Sequence, residues 1–206
     1  MNKKGILIVI SGFSGAGKGT IVKGLMSRYS NYALSISATT RNPREGEREG
    51  MEYFFRSREE FLKMIEENQL IEYAEYVGNF YGTPKEYVDS QLEQGKDVIL
   101  EIEIQGALKV REKFPDTLLL FVTPPGMDEL KARLEGRGTE DCKTIECRLK
   151  RAILEAEGIE QYDYLVINDV LDECIARTHH IIQGEHCRVS RNISNIEKIR
   201  EELKRF

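Results

Sequence analysis

The segment from residue 12 to residue 20 has the most specific chemical pattern in the chain, Gly-Phe-Ser-Gly-Ala-Gly-Lys-Gly-Thr. It contains the spacing G-x-x-x-x-G-K between a strand-like apolar run and a helical pattern, which is the context of a phosphate-binding loop. Glycines let the backbone turn its N–H groups toward phosphate oxygens, and the following helix adds its positive amino end. Lys18 adds a full charge. The pattern predicts binding of a nucleoside triphosphate and leaves the enzyme class open.

The loop and one nearby carboxylate are candidates for nucleotide and metal binding. The residues expected to bind the triphosphate are Gly12, Ser14, Gly15, Ala16, Gly17, Lys18, Gly19 and Thr20. Gly19 stands where such loops usually have Ser or Thr, so we expect the hydroxyl of Thr20 to serve Mg²⁺ instead. Glu101 lies near the carboxyl end of a predicted strand, where α/β sheets bind ligands, and we expect it to hold the Mg²⁺ shell through water. The alternative is that Glu101 orients Lys18 or an arginine.

A second anion site is indicated by the segment from residue 35 to residue 44, which is rich in hydroxyls and contains Arg41 and Arg44. Pro43 disfavours a helix here, so the segment is expected to be extended or turning. Two planar guanidinium groups close together suit a phosphate, through bidentate hydrogen bonds. A solvated pair of surface arginines fits the same spacing equally well.

Several polar side chains in the same region could recognise a base. The Glu72 carboxylate can accept from N1–H and from the 2-amino group of guanine together, and adenine lacks that pair of donors. Hydroxyls of Ser37 and Thr83 could donate to O6, and Tyr53 and Tyr81 add two more hydroxyls. From spacing alone, a surface carboxylate at a helix end and tyrosines that pack in a small lobe are the favoured alternatives.

Apolar runs and helical patterns alternate along much of the chain. Strands are predicted at residues 5–11, 97–104, 117–123 and 164–167, and helices at about 19–29, 106–114, 127–135, 144–160 and 170–184. This order predicts an α/β fold with a parallel sheet. The two-residue period of the second strand places Glu101 and Glu103 on one face. Residues 35–90, with a helix near 58–67, are interpreted as an inserted α+β lobe, and residues 136–147 as a mobile flap.

Composition excludes several classes of protein. The 206 residues carry 30 Lys and Arg against 35 Asp and Glu, a net charge of −5, which argues against a protein held mainly by attraction to nucleic acid. No apolar run approaches the roughly 20 residues of a membrane span, and we expect a cytoplasmic protein. The four cysteines form no C-x-x-C pair. Five residues near the C-terminus are of types that can bind zinc, but their spacing matches no familiar zinc site, and we expect them to pack in a helix. They are Cys174, His179, His180, His186 and Cys187.

Several separate motifs, in one order, resemble the guanylate kinase family over nearly the whole chain. They are the loop at 11–20, Ser-Ala-Thr-Thr-Arg-Asn-Pro-Arg at 37–44, Gly-Met-Glu-Tyr-Phe-Phe at 50–55, Glu-Tyr-Ala-Glu at 72–75, Gly-Asn-Phe-Tyr-Gly-Thr at 78–83, Glu-Ile-Glu-Ile-Gln-Gly at 101–106, Arg-Leu-Glu-Gly-Arg-Gly-Thr at 133–139 and Tyr-Asp-Tyr-Leu-Val-Ile-Asn-Asp at 162–169. The chain departs from the family pattern at Phe13, at Glu101 and Glu103, where many members have Asp, and at Val170.

The resemblance implies a P-loop NTPase-type parallel sheet flanked by helices, with an inserted small α+β GMP-binding lobe and a mobile lid. It implies one domain over 1–206, with the core at about 1–34, 91–126 and 160–206, the lobe at about 35–90 and the lid at about 127–159. The implied reaction is ATP + GMP = ADP + GDP, with Mg²⁺. GMP and ATP are then the partners, with no nucleic acid or membrane, and the oligomeric state stays open.

The resemblance also implies roles for individual residues. Four match ligands of the GMP phosphate, and they are Arg41, Arg44, Tyr53 and Tyr81. Four match guanine ligands, and they are Ser37, Glu72, Thr83 and Glu103. Arg137 and Arg148 match arginines that the closing lid brings to the phosphates, and Asn168 matches an adenine contact. The cations expected to act in catalysis are Lys18, Arg41, Arg44, Arg137 and Arg148.

Two other functions fit parts of the pattern. A non-catalytic module of the same family type could bind a phosphopeptide through Arg41 and Arg44. A kinase for another nucleoside monophosphate would keep the loop and change the base site. The intact loop favours an enzyme, and Glu72 with Ser37 favours guanine.

Overall fold

The computed structural model describes residues 4–76, 78–136 and 142–206. The strands are β1 (Leu7–Gly12), β2 (Tyr32–Leu34), β3 (Ala38–Thr39), β4 (Phe54–Phe55), β5 (Leu70–Tyr76), β6 (Asn79–Pro84), β7 (Asp97–Glu101), β8 (Leu118–Thr123) and β9 (Tyr164–Ile167). The helices are α1 (Lys18–Arg28), α2 (Arg58–Glu66), α3 (Lys85–Glu93), α4 (Ile104–Lys113), α5 (Met127–Glu135), α6 (Cys142–Ala156), α7 (Leu171–His186) and α8 (Ile193–Leu203).

Five strands form a parallel main sheet in the order β2-β7-β1-β8-β9. Successive residues of β1 face opposite sides of this sheet and are buried on both. Ile8 and Ile10 belong to one apolar core with residues of α1 and α7, and Leu7 and Val9 belong to another with residues of α3 and α4. Burial on both faces explains why the strands are continuous apolar runs, and the predicted α/β fold with a parallel sheet is confirmed.

A second sheet has the order β4-β3-β6-β5, with antiparallel pairing of β3 with β6 and of β5 with β6. Helix α2 begins with a capping box in which Ser57 and Glu60 satisfy each other's backbone N–H groups. Its Phe61 is fully buried and stacks on Phe80, with ring centroids 5.4 Å apart. This small core holds together the strands that carry the predicted base and phosphate ligands of residues 37–83.

Strand β7 is shorter than the sequence predicts. It ends at Glu101, where its pairing with β1 also ends, and Glu103 already occupies the N-cap position of α4. The alternation of a strand therefore does not continue to Glu103. The prediction that Glu101 and Glu103 share a strand face is wrong.

The inserted segment rejoins the core earlier than the sequence predicts, at the start of helix α3. It begins at Lys85, and its Val88 and Leu92 are buried in the core beneath the main sheet. The expected lobe boundary near residue 90 thus falls within a helix that packs on that sheet. The segment interpreted as a flap, residues 136–147, contains the start of α6 at Cys142. Residues 137–141 of that segment lie outside the described residues.

The residues considered as zinc ligands lie in and after α7. Cys174 is buried in the core, His179 stacks on Tyr29 with ring centroids 3.6 Å apart, and His186 bonds the carboxylate of Asp97 at 2.9 Å. Within residues 4–76, 78–136 and 142–206, no group of three or more His, Cys, Asp or Glu side chains is arranged to hold a metal ion. In the same ranges, no helix has both the length and the apolar character needed to cross a membrane.

Candidate active site

The phosphate-binding loop joins the end of β1 to the start of α1. Gly12, Gly15 and Gly17 have φ angles of 148°, 94° and 94°, which side-chain-bearing residues rarely adopt. A Cβ atom on Gly12 would also lie 2.0 Å from the carbonyl oxygen of Val122. These positions require glycine, and the loop lies at the carboxyl end of the sheet, where open α/β sheets bind ligands.

Lys18 lies across this loop. Its Nζ atom donates to the carbonyl oxygens of Gly12 at 2.7 Å and Phe13 at 3.2 Å. A polar cavity of about 370 Å³ adjoins the ammonium group, with a lining of Ser14, Gly15, Gly17, Lys18, Gly19, Thr20, Lys23 and Glu101. The loop amides, the ammonium group and the amino end of α1 make this cavity a site for phosphate groups.

Glu101 faces the first turn of α1. A Cβ atom on Gly19 would lie 3.6 and 3.7 Å from its two carboxylate oxygens, which is ordinary contact distance, so the carboxylate lies close to this turn. Desolvation raises the pKa of Glu101, and the positive charges of Lys18 and Lys23 partly oppose that rise. The carboxylate and the Thr20 hydroxyl border the same cavity, which gives it the hard oxygen donors that Mg²⁺ prefers.

A larger cavity, of about 830 Å³, lies at the other end of the main sheet. Residues 4–7, before and at the start of β1, and residues 114–117, before β8, contribute to its lining. Ligands of parallel α/β sheets bind at the carboxyl ends of the strands, and this cavity is at the amino ends. Position and chemistry therefore favour the smaller cavity at the loop.

Helices α5 and α6 cover the loop. Leu130 and Leu134 of α5 are buried, and a Cβ atom on Gly15 would lie 2.9 Å from Leu134. Arg148 of α6 donates to the hydroxyl of Ser14. The structure thus places Arg148 at the loop, while Arg137 lies outside the described residues.

Asn168 follows β9 and contacts the loop directly. It is 6% exposed, and its Nδ2 atom donates to the carbonyl oxygen of Ala16 at 2.8 Å. Arg133 of α5 donates to the carbonyl oxygens of Asn168 at 2.9 Å and Ala16 at 3.4 Å. Arg133 was not among the candidate site residues predicted from the sequence. Two local signals were present: Arg133 opens the motif at 133–139, and it lies four residues after Glu129, the spacing of a helical ion pair.

The second sheet and its loops bring charged and hydroxyl groups together around Arg41. Its guanidinium pairs with Glu47 at 2.8 Å and lies 5.4 Å from the centroid of the Tyr53 ring. The ring of Tyr81 lies 6.1 Å from that of Tyr53. Glu47 also accepts from the backbone N–H of Arg44 at 2.7 Å, and Arg41 lowers the pKa of Glu47. Glu47 was not among the residues predicted from the sequence, and it pairs with the guanidinium that we expect to bind phosphate.

Two of the predicted base ligands are in direct contact. The Thr83 hydroxyl donates to the Glu72 carboxylate at 2.8 Å, and Thr83 is fully buried. Ser37 lies immediately before β3 and is half-buried, and its carbonyl oxygen accepts from the N–H of Phe54. Glu103 is exposed and pairs with Arg151 of α6, which also contacts Glu155 at 3.1 Å. Neither Arg151 nor Glu155 was singled out from the sequence.

Burial raises the pKa of Glu72, and the hydrogen bond from Thr83 partly opposes that rise. As pH increases above the ordinary value of 4.5, the unfolded chain therefore loses this proton before the folded protein does. The folded state binds more protons in that window, so its stability falls as pH rises through it. A charged Glu72 thus lowers stability at neutral pH.

We expect Glu72→Gln to be more stable than the parent protein at pH 7, because glutamine keeps an acceptor for Thr83 and has no charge to desolvate. Urea unfolding at several pH values between 4.5 and 7 measures the difference in unfolding free energy. The advantage of the variant should grow with pH. An advantage that is absent, or the same at every pH, would contradict this account of Glu72.

Comparison with known proteins agrees with this geometry. The family model described as guanylate kinase matches residues 4–185. The guanylate kinase of Caldanaerobacter subterraneus subsp. tengcongensis is 52% identical over 202 residues, which is 98% of each chain. That of Enterococcus faecalis is 50% identical over 204 residues, 98% of this chain and 100% of the relative.

A solved structure gives the same result at the level of the fold. The crystal structure of guanylate kinase from Anaplasma phagocytophilum has a TM-score of 0.71 and 33% sequence identity, covering 92% of this chain and 90% of that one. The phosphate-binding loop, the parallel sheet and matches of nearly full length all agree. The chain belongs to the guanylate kinase family.

Proposed function

We infer that this enzyme, a phosphotransferase that converts ATP and GMP to ADP and GDP, binds its two nucleotides on its two sheets. ATP lies with its phosphates on the loop at residues 12–20, and GMP lies against the second sheet. The observation that carries the assignment is the hydrogen bond between Glu72 and the fully buried Thr83. The Glu72 carboxylate on the second sheet can accept hydrogen bonds from guanine, and the main sheet of the same protein carries an intact phosphate-binding loop.

We propose three parts for the enzyme. The core comprises about 1–34, 91–126 and 160–206, to which the packing of Val88 and Leu92 adds helix α3. The GMP-binding lobe is then about 35–84, rather than 35–90, and the lid is about 127–159. Burial of Leu130 and Leu134 against the loop supports a lid that rests on the core at its α5 end.

The acceptor in this reaction is a phosphate oxygen. Its second pKa is about 6, so it is largely ionised at neutral pH and needs no general base. The obstacle is the approach of two polyanions in line, which positioned cations relieve. We propose Lys18 and Arg148 at the donor, Arg41 and Arg44 at the acceptor, and Arg137 with the lid. GMP phosphate would then displace Glu47 from Arg41, or share that guanidinium with it.

We assign the remaining contacts as follows. Tyr53 and Tyr81 donate to the GMP phosphate, Ser37 and Thr83 serve guanine O6, and Glu72 accepts from guanine N1–H and the 2-amino group. Glu103 reaches guanine after leaving Arg151. Asn168 lies on the adenine side of the ATP site. The lid excludes water, so that ATP is not simply hydrolysed.

The proposed metal is Mg²⁺, and the donors present fit it. The Thr20 hydroxyl and the Glu101 carboxylate border the phosphate cavity, and Mg²⁺ usually takes one or two protein oxygens while phosphates and water complete its shell. When bound, the ion neutralises charge on the phosphates of ATP. Glu101 would hold that shell through water, and its carboxylate also lies in the field of Lys18.

The alternatives receive no support. A non-catalytic module would not need Lys18, the left-handed glycines and Glu101 around one cavity, and the full-length relatives are guanylate kinases.

We propose that the protein acts in the cytoplasm. Its described cysteines, Cys147, Cys174 and Cys187, are free thiols, which is usual in a reducing compartment.

The direct test is formation of ADP from ATP and Mg²⁺ with GMP, dGMP, AMP, CMP and UMP supplied separately. We expect strong activity with GMP and much weaker activity with AMP, CMP and UMP, because those bases leave Glu72 without its pair of donors. Comparable activity with AMP, CMP or UMP would refute the base assignment, whereas activity with dGMP would agree with it because its base is also guanine. No activity with any acceptor, in a folded protein that binds ATP, would refute the reaction.

A further inference from the structure

The carbonyl group of Ala16 is held from behind the phosphate-binding loop by two side chains from outside it. Asn168 Nδ2 donates to this oxygen at 2.8 Å, and Arg133 Nη1 lies 3.4 Å from it. Ala16 is fully buried and Asn168 is 6% exposed. Asn168 itself is fixed, because its own carbonyl oxygen accepts from Arg133 Nη2 at 2.9 Å. Glu129, which bonds Arg133 Nε at 2.8 Å, fixes the arginine in turn.

The orientation of this carbonyl determines the orientation of the next amide. In a trans peptide the C=O and N–H groups point in opposite directions, so an Ala16 oxygen turned toward Asn168 directs the Gly17 N–H away from it. Gly17 lines the phosphate cavity, and Asn168 is absent from that lining within the part of the chain that the structure describes. The Gly17 N–H is thereby directed to the side where phosphate binds.

Gly17 is shaped for the same contact. Its φ angle is 94°, and a Cβ atom there would lie 2.3 Å from Asn168 Nδ2. The amide of Asn168 thus occupies the space that a side chain at position 17 would need. Loop and side chain are complementary in shape as well as in hydrogen bonding.

We propose that Asn168 and Arg133 are positioning residues that hold the Ala16–Gly17 peptide plane in the orientation that binds phosphate. This inference rests on the proposed ATP site at the loop. It gives Asn168 a role toward the phosphates that does not depend on the base of the nucleotide. It also links α5 to the loop through Arg133, so that the segment covering the loop fixes the direction of a phosphate-binding amide.

The test compares two ligands that share phosphates and differ in the nucleoside. Calorimetry measures the Kd of ATP and of inorganic tripolyphosphate, each with Mg²⁺, for the parent protein and for Asn168→Ala. We expect both ligands to bind about ten-fold more weakly to the variant, the effect of one well-formed hydrogen bond. The matched control is Arg177→Ala, because Arg177 donates to the neighbouring carbonyl of Ile167 at 3.2 Å without contacting the loop.

The losses of affinity for ATP and for tripolyphosphate in Asn168→Ala decide whether Asn168 positions the peptide plane. Weaker binding of tripolyphosphate, which has no base, supports the positioning role, and any further loss with ATP reports the proposed place of Asn168 on the adenine side. A loss for ATP alone would mean that Asn168 acts on the nucleoside, and unchanged binding of both ligands would mean that the peptide plane needs no support; either result overturns the proposal. A parent protein that binds neither ligand would refute the proposed ATP site, and with it this inference.

A second variant covers the case in which Asn168→Ala does not fold. Arg133→Ala removes the other, half-buried donor to this carbonyl and should weaken ATP and tripolyphosphate equally. Where both single variants fold, the double variant should lose more than the product of the single effects, because the Ala16 carbonyl then has neither donor. Independent effects of the two substitutions would overturn the shared role.

Discussion

Substitution of Lys18 by methionine is expected to lower kcat for GDP formation by about 10²–10³-fold, the effect of removing one charged donor from a preorganised site. Methionine keeps the length of the side chain and removes its charge. The Lys18 ammonium lies across the loop and borders the cavity that would hold the transferred group. Without that charge, the repulsion between the two bound polyanions is less well compensated in the transition state.

The control is Lys198→Met on helix α8, where the lysine side chain is 72% exposed and pairs only loosely with Glu202. This variant should turn over like the parent. A coupled assay for ADP gives the rates, and thermal unfolding checks that both variants remain folded. Near-parental turnover of folded Lys18→Met would contradict the placement of ATP phosphates on this loop.

Glu72→Gln should reduce kcat/KM for GMP by about 100-fold and, more tellingly, should erase the preference for GMP over IMP. IMP has the same N1–H and O6 as GMP and lacks only the 2-amino group. A carboxylate accepts from both guanine donors, whereas the glutamine side chain offers one acceptor oxygen and presents an NH₂ group to the second donor. The variant should therefore lose more with GMP than with IMP.

Glu75→Gln is the matched control, since Glu75 lies on the same strand, is 50% exposed and pairs with Arg58. It should keep the parental ratio of kcat/KM for GMP and IMP. Steady-state assays with both acceptors at saturating ATP measure the ratio. If Glu72→Gln kept it as well, Glu72 would not be the group that reads the 2-amino position.

The sequence is most informative where structure is local. The loop at residues 12–20 could be predicted because strand, glycines, lysine and helix are adjacent in the chain, and the parallel sheet because its strands are apolar on both faces. The length of β7 could not be predicted, because the local sequence does not show that Glu103 is the N-cap of α4 and so lies outside the strand. Strand β2 could not be predicted either, because its three residues are defined by pairing with β7.

Contacts that depend on the folded structure explain why the other site residues could not be predicted. Glu47, Arg133 and Arg151 have the sequence context of solvated surface charges, and only the fold places them at Arg41, Ala16 and Glu103. The two members of each pair are 6, 117 and 48 residues apart. For the same reason, spacing suggested Glu72 and Thr83 as separate candidates, while the hydrogen bond between them requires β5 and β6 to pair.

The hydroxyl of Tyr87, in the first turn of α3, donates to the carbonyl oxygen of Leu34 at 3.3 Å, at the end of β2. The chain therefore leaves the main sheet and returns to it within the reach of one tyrosine side chain. An insertion whose two ends are neighbours can rotate as a unit about the line that joins them, with little change in the sheet that carries it. The same closeness makes the insertion exchangeable in evolution, because a different acceptor lobe needs only the same short separation between its ends.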